Sequence, residues 1–222
     1  MAVTYFWNVA LRQALYGSLG DIEVALRNGV QRTLLNRFGH GDWYDRAGLL
    51  HTREQRDIAQ AKKTILAAGK PVIPGRVIAA VSFGFWTSLL DVAYGETPHG
   101  PQLWTTTNGQ LATVFPHATP YYQHYRGRIY ARVDTLRRLR NRVFHHEPVW
   151  NGILVPSRRK QQLAQLIPLA DAYTQLVETI GWVNPTLQTT TSHLDTFKEV
   201  LRTGFSTVER KIRDYLDIAP AT

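Results

Sequence analysis

Residues 126–148 read RGRIYARVDTLRRLRNRVFHHEP, and the fold turns on how this stretch is read. No proline interrupts it before Pro148 closes it. Ile129, Val133, Leu136, Leu139 and Val143 recur at three- and four-residue spacing, the period of one face of an α-helix. The spacing predicts a long helix over 126–146, ended by Pro148. It would dock its apolar stripe on a core and show its Arg and His residues elsewhere.

Proline placement extends the reading to the rest of the chain. None occurs before Pro71, and the stretch 186–219 is again free of it. A helical pair is expected over 5–17 and 21–38, with Ser18 to Asp21 as the turn and Asp21 as N-cap. Ile22, Leu26, Val30 and Leu34 share one face of the second helix. Further helices are expected over 53–68, over the very apolar stretch Val77 to Tyr94, and from Ser157 to Trp182 with a kink at Pro168. The last runs from Thr189 to Leu216, with Leu194, Phe197, Leu201, Phe205, Val208, Ile212 and Tyr215 as its stripe. Strand-like alternation is confined to Val149 to Val155, and no Asn-Gly hairpin joins two alternating runs. The expectation is an all-α fold, a single domain over 1–222 packed around Val77 to Tyr94. The break at Pro185 leaves room for a C-terminal helical extension over 186–222.

The 222 residues are 44% hydrophobic and 19% charged, an ordinary globular composition. At this length a chain buries roughly 70% of its extended surface, enough for a core without staples. There is no Cys, which excludes disulfides, a thiol nucleophile, a zinc ribbon and an iron–sulfur cluster. No run of about 18 apolar residues predicts a membrane span. Met1 to Val9 lacks a basic segment ahead of an apolar one, so no signal peptide and a cytoplasmic location are expected. No phosphate-cradling NTPase loop and no Gly-x-Ser-x-Gly elbow occur. His145, His146 and Glu147 are adjacent and diverge, while His40 with Asp42 and His51 with Glu54 are loose pairs. No metal and no cofactor are therefore expected.

The net charge is +9, and Tyr121 to Lys160 supplies +8 of it. The bases there are Arg126, Arg128, Arg132, Arg137, Arg138, Arg140, Arg142, Arg158, Arg159 and Lys160; the acids are Asp134 and Glu147. Arginine's planar fork suits phosphate better than lysine does. Arg126, Arg128, Arg137, Arg138, Arg142, Arg158 and Arg159 are candidates for binding RNA. Trp104, Tyr121, Tyr122 and Tyr125 are candidates for stacking bases, with core or loop-anchor roles expected for at least two of them.

The string Arg140-Asn141-Arg142-Val143-Phe144-His145-His146-Glu147 carries the chemistry. RNA brings its own nucleophile, the ribose 2′-OH, so cleavage needs a base, an acid and a cation for the phosphorane, and no metal. Histidine titrates near neutrality and serves as either acid or base. Arginine supplies fixed charge. Asn141 could orient His145, its neighbour at i+4, or donate to phosphate. Arg140 and His145 lie about 140° apart on an ideal helix, so one straight helix does not join their tips. An irregular turn before Pro148 or a second copy of the chain would. A structural reading stands beside this: His145 caps a helix C-terminus, Arg140 pairs with Glu147 or Asp134, and Glu23 pairs with Arg27.

The string Arg140-Asn141-x-x-x-His145-His146-Glu147-Pro148 resembles the signature of the Abi-like (abortive infection) family, within the HEPN superfamily of all-α ribonucleases and nucleotide-binding domains. Residues 19–28, LGDIEVALRN, resemble its N-terminal helix, and residues 82–86, SFGFW, its central segment. The three pieces keep the family's order over roughly residues 10–165. The resemblance implies a HEPN-like helical bundle with additional helices, a homodimer, and a composite site built from both protomers. It carries the catalytic pair onto Arg140 and His145, the polar second residue onto Asn141, and makes His146 a substitute for His145; Glu23 and Arg27 would either line the cleft or, the favoured reading, form an exposed salt bridge. The expected function is a metal-independent endoribonuclease of an abortive-infection or toxin–antitoxin system, with RNA and a cognate antitoxin as partners. A non-catalytic RNA- or nucleotide-binding module, or an interaction domain docking an acidic partner, are the alternatives.

Overall fold

The computed structural model describes residues 2–95, 103–104, 109–123, 125–156 and 163–218. Within them the chain forms α1 (Ala2–Phe38), α2 (Thr52–Ala67), α3 (Pro74–Ala80), α4 (Phe83–Ser88), α5 (Gly109–Val114), α6 (Pro120–Gln123) and α7 (Arg126–Phe144). A hairpin of β1 (Ile153–Val155) and β2 (Gln165–Ile167) follows, then α8 (Leu169–Val183), α9 (Pro185–Leu194) and α10 (Phe197–Ile218). Short 3₁₀ turns occupy Trp43–Asp45 and Val92–Tyr94. The all-α class holds. No described helix is long and apolar enough to cross a membrane.

The centre of the molecule is α1, not Val77 to Tyr94. Leu11, Leu15, Leu19, Ile22, Leu26, Val30 and Leu34 are fully buried along it. Helices α4, α5, α7, α8, α9 and α10 all pack against it. The expected turn at Ser18 to Asp21 is absent, because the apolar stripe continues in phase through it. Burying one such side chain contributes about 1.5–3 kcal/mol, while a mid-helix glycine such as Gly20 costs about 1 kcal/mol. The stripe wins. Asp21 is therefore no N-cap: its carboxylate accepts a hydrogen bond from Thr191 Oγ1 at 2.6 Å, and Ser18 donates to Asp195. The polar residues that looked like a turn tie α1 to the α9–α10 corner.

Three other expected helices are divided by caps. Ser82 is extended (φ −75°, ψ 164°) and its hydroxyl accepts from Phe85 N, which ends α3 and starts α4. Asp91 does the same for the turn at Val92–Tyr94, accepting from Ala93 N. Pro168 does not kink a helix; it stands at the N-cap of α8. The residues before it pair in register, Ile153 with Ile167 and Leu154 with Leu166. Asn184 and Pro185 start α9, and Asp195 accepts from Phe197 N at 2.6 Å to start α10. Leu194 ends α9 and is 79% exposed, so it leaves the expected stripe, whereas Phe197 is buried against Tyr173. Gly204 breaks α10 with φ 67°. The side chains of Phe205, Val208, Ile212 and Tyr215 lie outside the described ones.

A Cβ built on Gly17 or on Gly20 meets nothing within 4 Å. Because α1 runs straight through both positions, Gly20→Ala is expected to raise stability by about 0.5–1 kcal/mol, and Gly17→Ala to add a similar amount. Thermal unfolding checks this; a loss of stability in both would show that the chain turns there.

Candidate functional site

Helix α7 forms where 3.6-residue periodicity puts it. Ile129, Val133, Leu136 and Leu139 are fully buried and Val143 is nearly so, which turns the arginines outward along two flanks. Most of them are already held. Arg137 and Arg138 both donate to Asp134, at 2.7–2.9 Å. Arg132 pairs with Glu178 at 2.7 Å and donates to Tyr122 Oη. Arg142 donates to Gly152 O and Asn151 Oδ1, with Glu147 at 3.6 Å.

Arg126 donates to Val92 O at 2.9 Å and lies against Gly95, where a Cβ would overlap it; burial lowers its guanidinium below the ordinary value. Arg128 lies between the exposed rings of Tyr121 and Tyr125, 3.7 and 4.0 Å from their centroids. Trp104 is core, donating to Leu89 O, and Tyr122 packs on Trp182. Arg158 and Arg159 lie outside the described residues.

The end of α7 is irregular, but its turn carries His146, not His145, back over α1. His145 is the C-cap (φ −90°, ψ 10°) and His146 is left-handed at φ 60°. His146 N donates to Val143 O and Glu147 N to Arg142 O, the paired closure of a Schellman motif. Glycine usually takes the left-handed place because a Cβ there costs about 1–2 kcal/mol. Here it is a histidine, one of the residues that tolerates it better. A non-glycine residue kept in this conformation, at the most chemically loaded string of the chain, points to a use for its side chain.

The chain beyond the turn is clamped. Asn8 of α1, 7% exposed, accepts from Val149 N at 2.7 Å and donates to Glu147 O at 3.2 Å. This reversal carries His146 back over α1. Its Nδ1 meets Arg12 Nη1 there. Arg140 swings to the same side, where it pairs with Glu23 at 3.2 Å and lies 4.1 Å over the Phe144 ring. Phe144 in turn stacks on Tyr16, 4.7 Å between centroids. Glu23 therefore serves Arg140, not Arg27, and Arg140 pairs with neither Glu147 nor Asp134.

A groove of about 620 Å³ runs beside these groups, lined by Val9, Arg12, Gln13, Tyr16, Val143, Phe144 and His146. On the other flank of α7 a second groove of about 750 Å³ takes in Arg137, Arg138, Asn141 and Arg142.

The candidate residues are thus divided between the flanks. Arg140 and His146 share the first groove's side. Asn141 lines the second, and only its backbone carbonyl meets His145, at 2.8 Å. The His145 side chain is exposed and makes no hydrogen bond among the described residues. Reading the sequence missed Asn8, Arg12 and Tyr16, which recur every four residues on α1 and so share one face. That polar and aromatic spacing along α1 was the available signal.

No three His, Asp or Glu side chains among the described residues group closely enough to hold a metal. His40 binds Asp42 at 2.8 Å, and Glu54 accepts from the buried Tyr94 hydroxyl at 2.7 Å. Comparison with family models, with curated proteins and with solved structures finds no match to this chain.

His146→Gly removes the imidazole and relieves the left-handed backbone, so it is expected to leave stability unchanged or raise it by up to about 1 kcal/mol. Asn8→Ala leaves the buried Val149 N–H without an acceptor and is expected to cost about 1–3 kcal/mol. Urea unfolding of both variants is the check; destabilisation by His146→Gly would mean the imidazole is a structural prop.

Proposed function

We propose that the chain is a metal-independent endoribonuclease of the Abi-like, HEPN kind, acting as a homodimer in abortive-infection or toxin–antitoxin defence. The observation that carries this reading is the groove at the end of α7. There Arg12, the Arg140–Phe144–Tyr16 stack and His146 converge, with His145 one residue away.

RNA supplies the nucleophile. A histidine takes the 2′-OH proton, the oxygen attacks phosphorus, and the bond to the 5′-oxygen breaks as that oxygen gains a proton. The products are a 2′,3′-cyclic phosphate and a 5′-hydroxyl. Arg140, oriented by Glu23 and by Phe144 beneath it, meets the charge that builds on the phosphorane. His145, exposed and without a side-chain hydrogen bond among the described residues, is the histidine we assign as that base.

Two copies of the site meeting at a dyad would supply both an acid and a base. Tyr5 and Phe6, edge to face near the start of α1, are 62 and 51% exposed. Such exposed aromatic surface suits a self-complementary contact. A cognate antitoxin is the partner class that goes with this function. A second reading, an RNA-binding module without turnover, is favoured by the groove of Arg137, Arg138, Asn141 and Arg142 on the other flank. Its mark is salt-steep binding without product.

Purified protein is expected to cut RNA in EDTA and leave cyclic-phosphate ends. Arg140→Ala and His145→Ala are each expected to lower the rate by about a hundredfold or more. Binding without cleavage selects the second reading, and full activity in both variants removes these residues from the reaction.

A further inference from the structure

The arginines around the end of α7 differ in one respect. Arg140 has Glu23, Arg142 has Glu147, and Arg137 and Arg138 share Asp134. Arg12 has no carboxylate among the described residues. Its Nη1 meets His146 Nδ1, and its Nε, like that of Arg142, is buried with no acceptor. Buried polar groups are satisfied in the great majority of cases, so an orphaned guanidinium nitrogen asks for an explanation.

A guanidinium only donates. In this contact His146 Nδ1 must therefore accept, and the ring proton sits on Nε2. The groove thus presents donors and fixed positive charge with no carboxylate among its lining residues to match them.

Apart from the amide of Gln13, the rest of the groove is apolar and aromatic: Val9, Val143, Phe144 and Tyr16. Phe144 covers one face of the Tyr16 ring by stacking, while Tyr16 remains 59% exposed. Arg12 and Tyr16 are four residues apart on one face of α1, about 6 Å along the helix axis. A ligand that fits both carries an anion at one end and a flat ring one helical turn away.

We infer that this groove is a nucleotide seat: Arg12 and His146 Nε2–H hold a phosphate, and the base of the same nucleotide stacks on Tyr16. The inference rests on the nuclease reading only in taking that nucleotide to be one unit of the RNA strand. Arg12 binds the phosphate by a charged fork, and Tyr16 reads a π-face, which every base has, so the seat is indifferent to sequence.

Isothermal titration of the full chain with uridine 3′-monophosphate and, separately, with inorganic phosphate tests the seat. The wild-type protein is expected to bind the nucleotide more tightly than phosphate. Arg12→Ala and the near-isosteric Arg12→Gln are each expected to weaken both ligands by about tenfold or more. Thermal melting identifies any variant that fails to fold, and Arg12→Gln then decides alone. Tyr16→Ala is expected to weaken the nucleotide and leave inorganic phosphate unchanged.

Wild-type affinity in Arg12→Gln, or no binding of either ligand to the wild-type protein, overturns the seat. Unchanged nucleotide affinity in Tyr16→Ala overturns the base position. RNA cleavage measured in parallel keeps the two ideas apart. Arg12-dependent nucleotide binding without cleavage removes the nuclease and leaves the seat; cleavage with Arg12-independent binding does the reverse.

Discussion

Val149 N–H donates to Asn8 Oδ1, and Asn8 Nδ2 donates to Glu147 O, across about 140 residues of chain. Each bond satisfies a backbone group beside the core that would otherwise be lost to water and unpaired. Together they fix where the chain goes after α7 ends. The left-handed turn at His146 opens a range of exits, and Asn8 selects the one that folds back on α1. The Arg12–His146 contact, the first groove and the entry to the hairpin all follow from that choice. The clamp in turn needs α1 to be unbroken, since Asn8 is positioned by a helix whose buried stripe runs to Leu34.

Local periodicity made α7 legible, and with it the apolar stripe from Ile129 to Val143 and the span of α2. The divisions of the other helices were legible in principle. Ser82, Asp91, Asn184 and Asp195 are all residues whose short side chains compete for backbone N–H groups. All four accept such a bond here. Apolar density in 77–94 and 189–216 outweighed these signals in the reading, although density does not distinguish one helix from several in sequence. At Ser18 to Asp21 the error had the opposite sign. Residues of cap type sat mid-helix because their partners, Thr191 and Asp195, lie about 170 residues away. Propensity sees only neighbours, and a long-range hydrogen bond reverses its meaning.

The site divides along the same line. Arg140, His145 and His146 stand out from residue type and spacing, and their separation around a helix could be worked out from its geometry. Arg12 and Tyr16 could not be joined to them, since nothing in sequence distance brings α1 beside the end of α7. The charge count was also misleading about free charge. A +8 segment reads as a bare basic surface, yet Asp134 alone engages two of its arginines and Glu178 a third. What remains for an anion is smaller and more specific than the composition suggests. Its best-placed guanidinium comes from outside the basic segment altogether.

That shift bears on the two adjacent histidines. With Nδ1 turned to a donor-only partner, His146 has no basic nitrogen to offer while the contact with Arg12 lasts. Its Nε2–H is left to hold an oxygen. His145 has no such partner among the described residues, and as the C-cap it stands where helical geometry has just ended. Within a nuclease the two rings would then serve different ends, His146 for grip and His145 for proton transfer. The Schellman turn is what separates them. One more residue of regular helix would have placed the rings about 100° apart on a common surface with the same surroundings; the left-handed step sends one toward α1 and leaves the other to solvent.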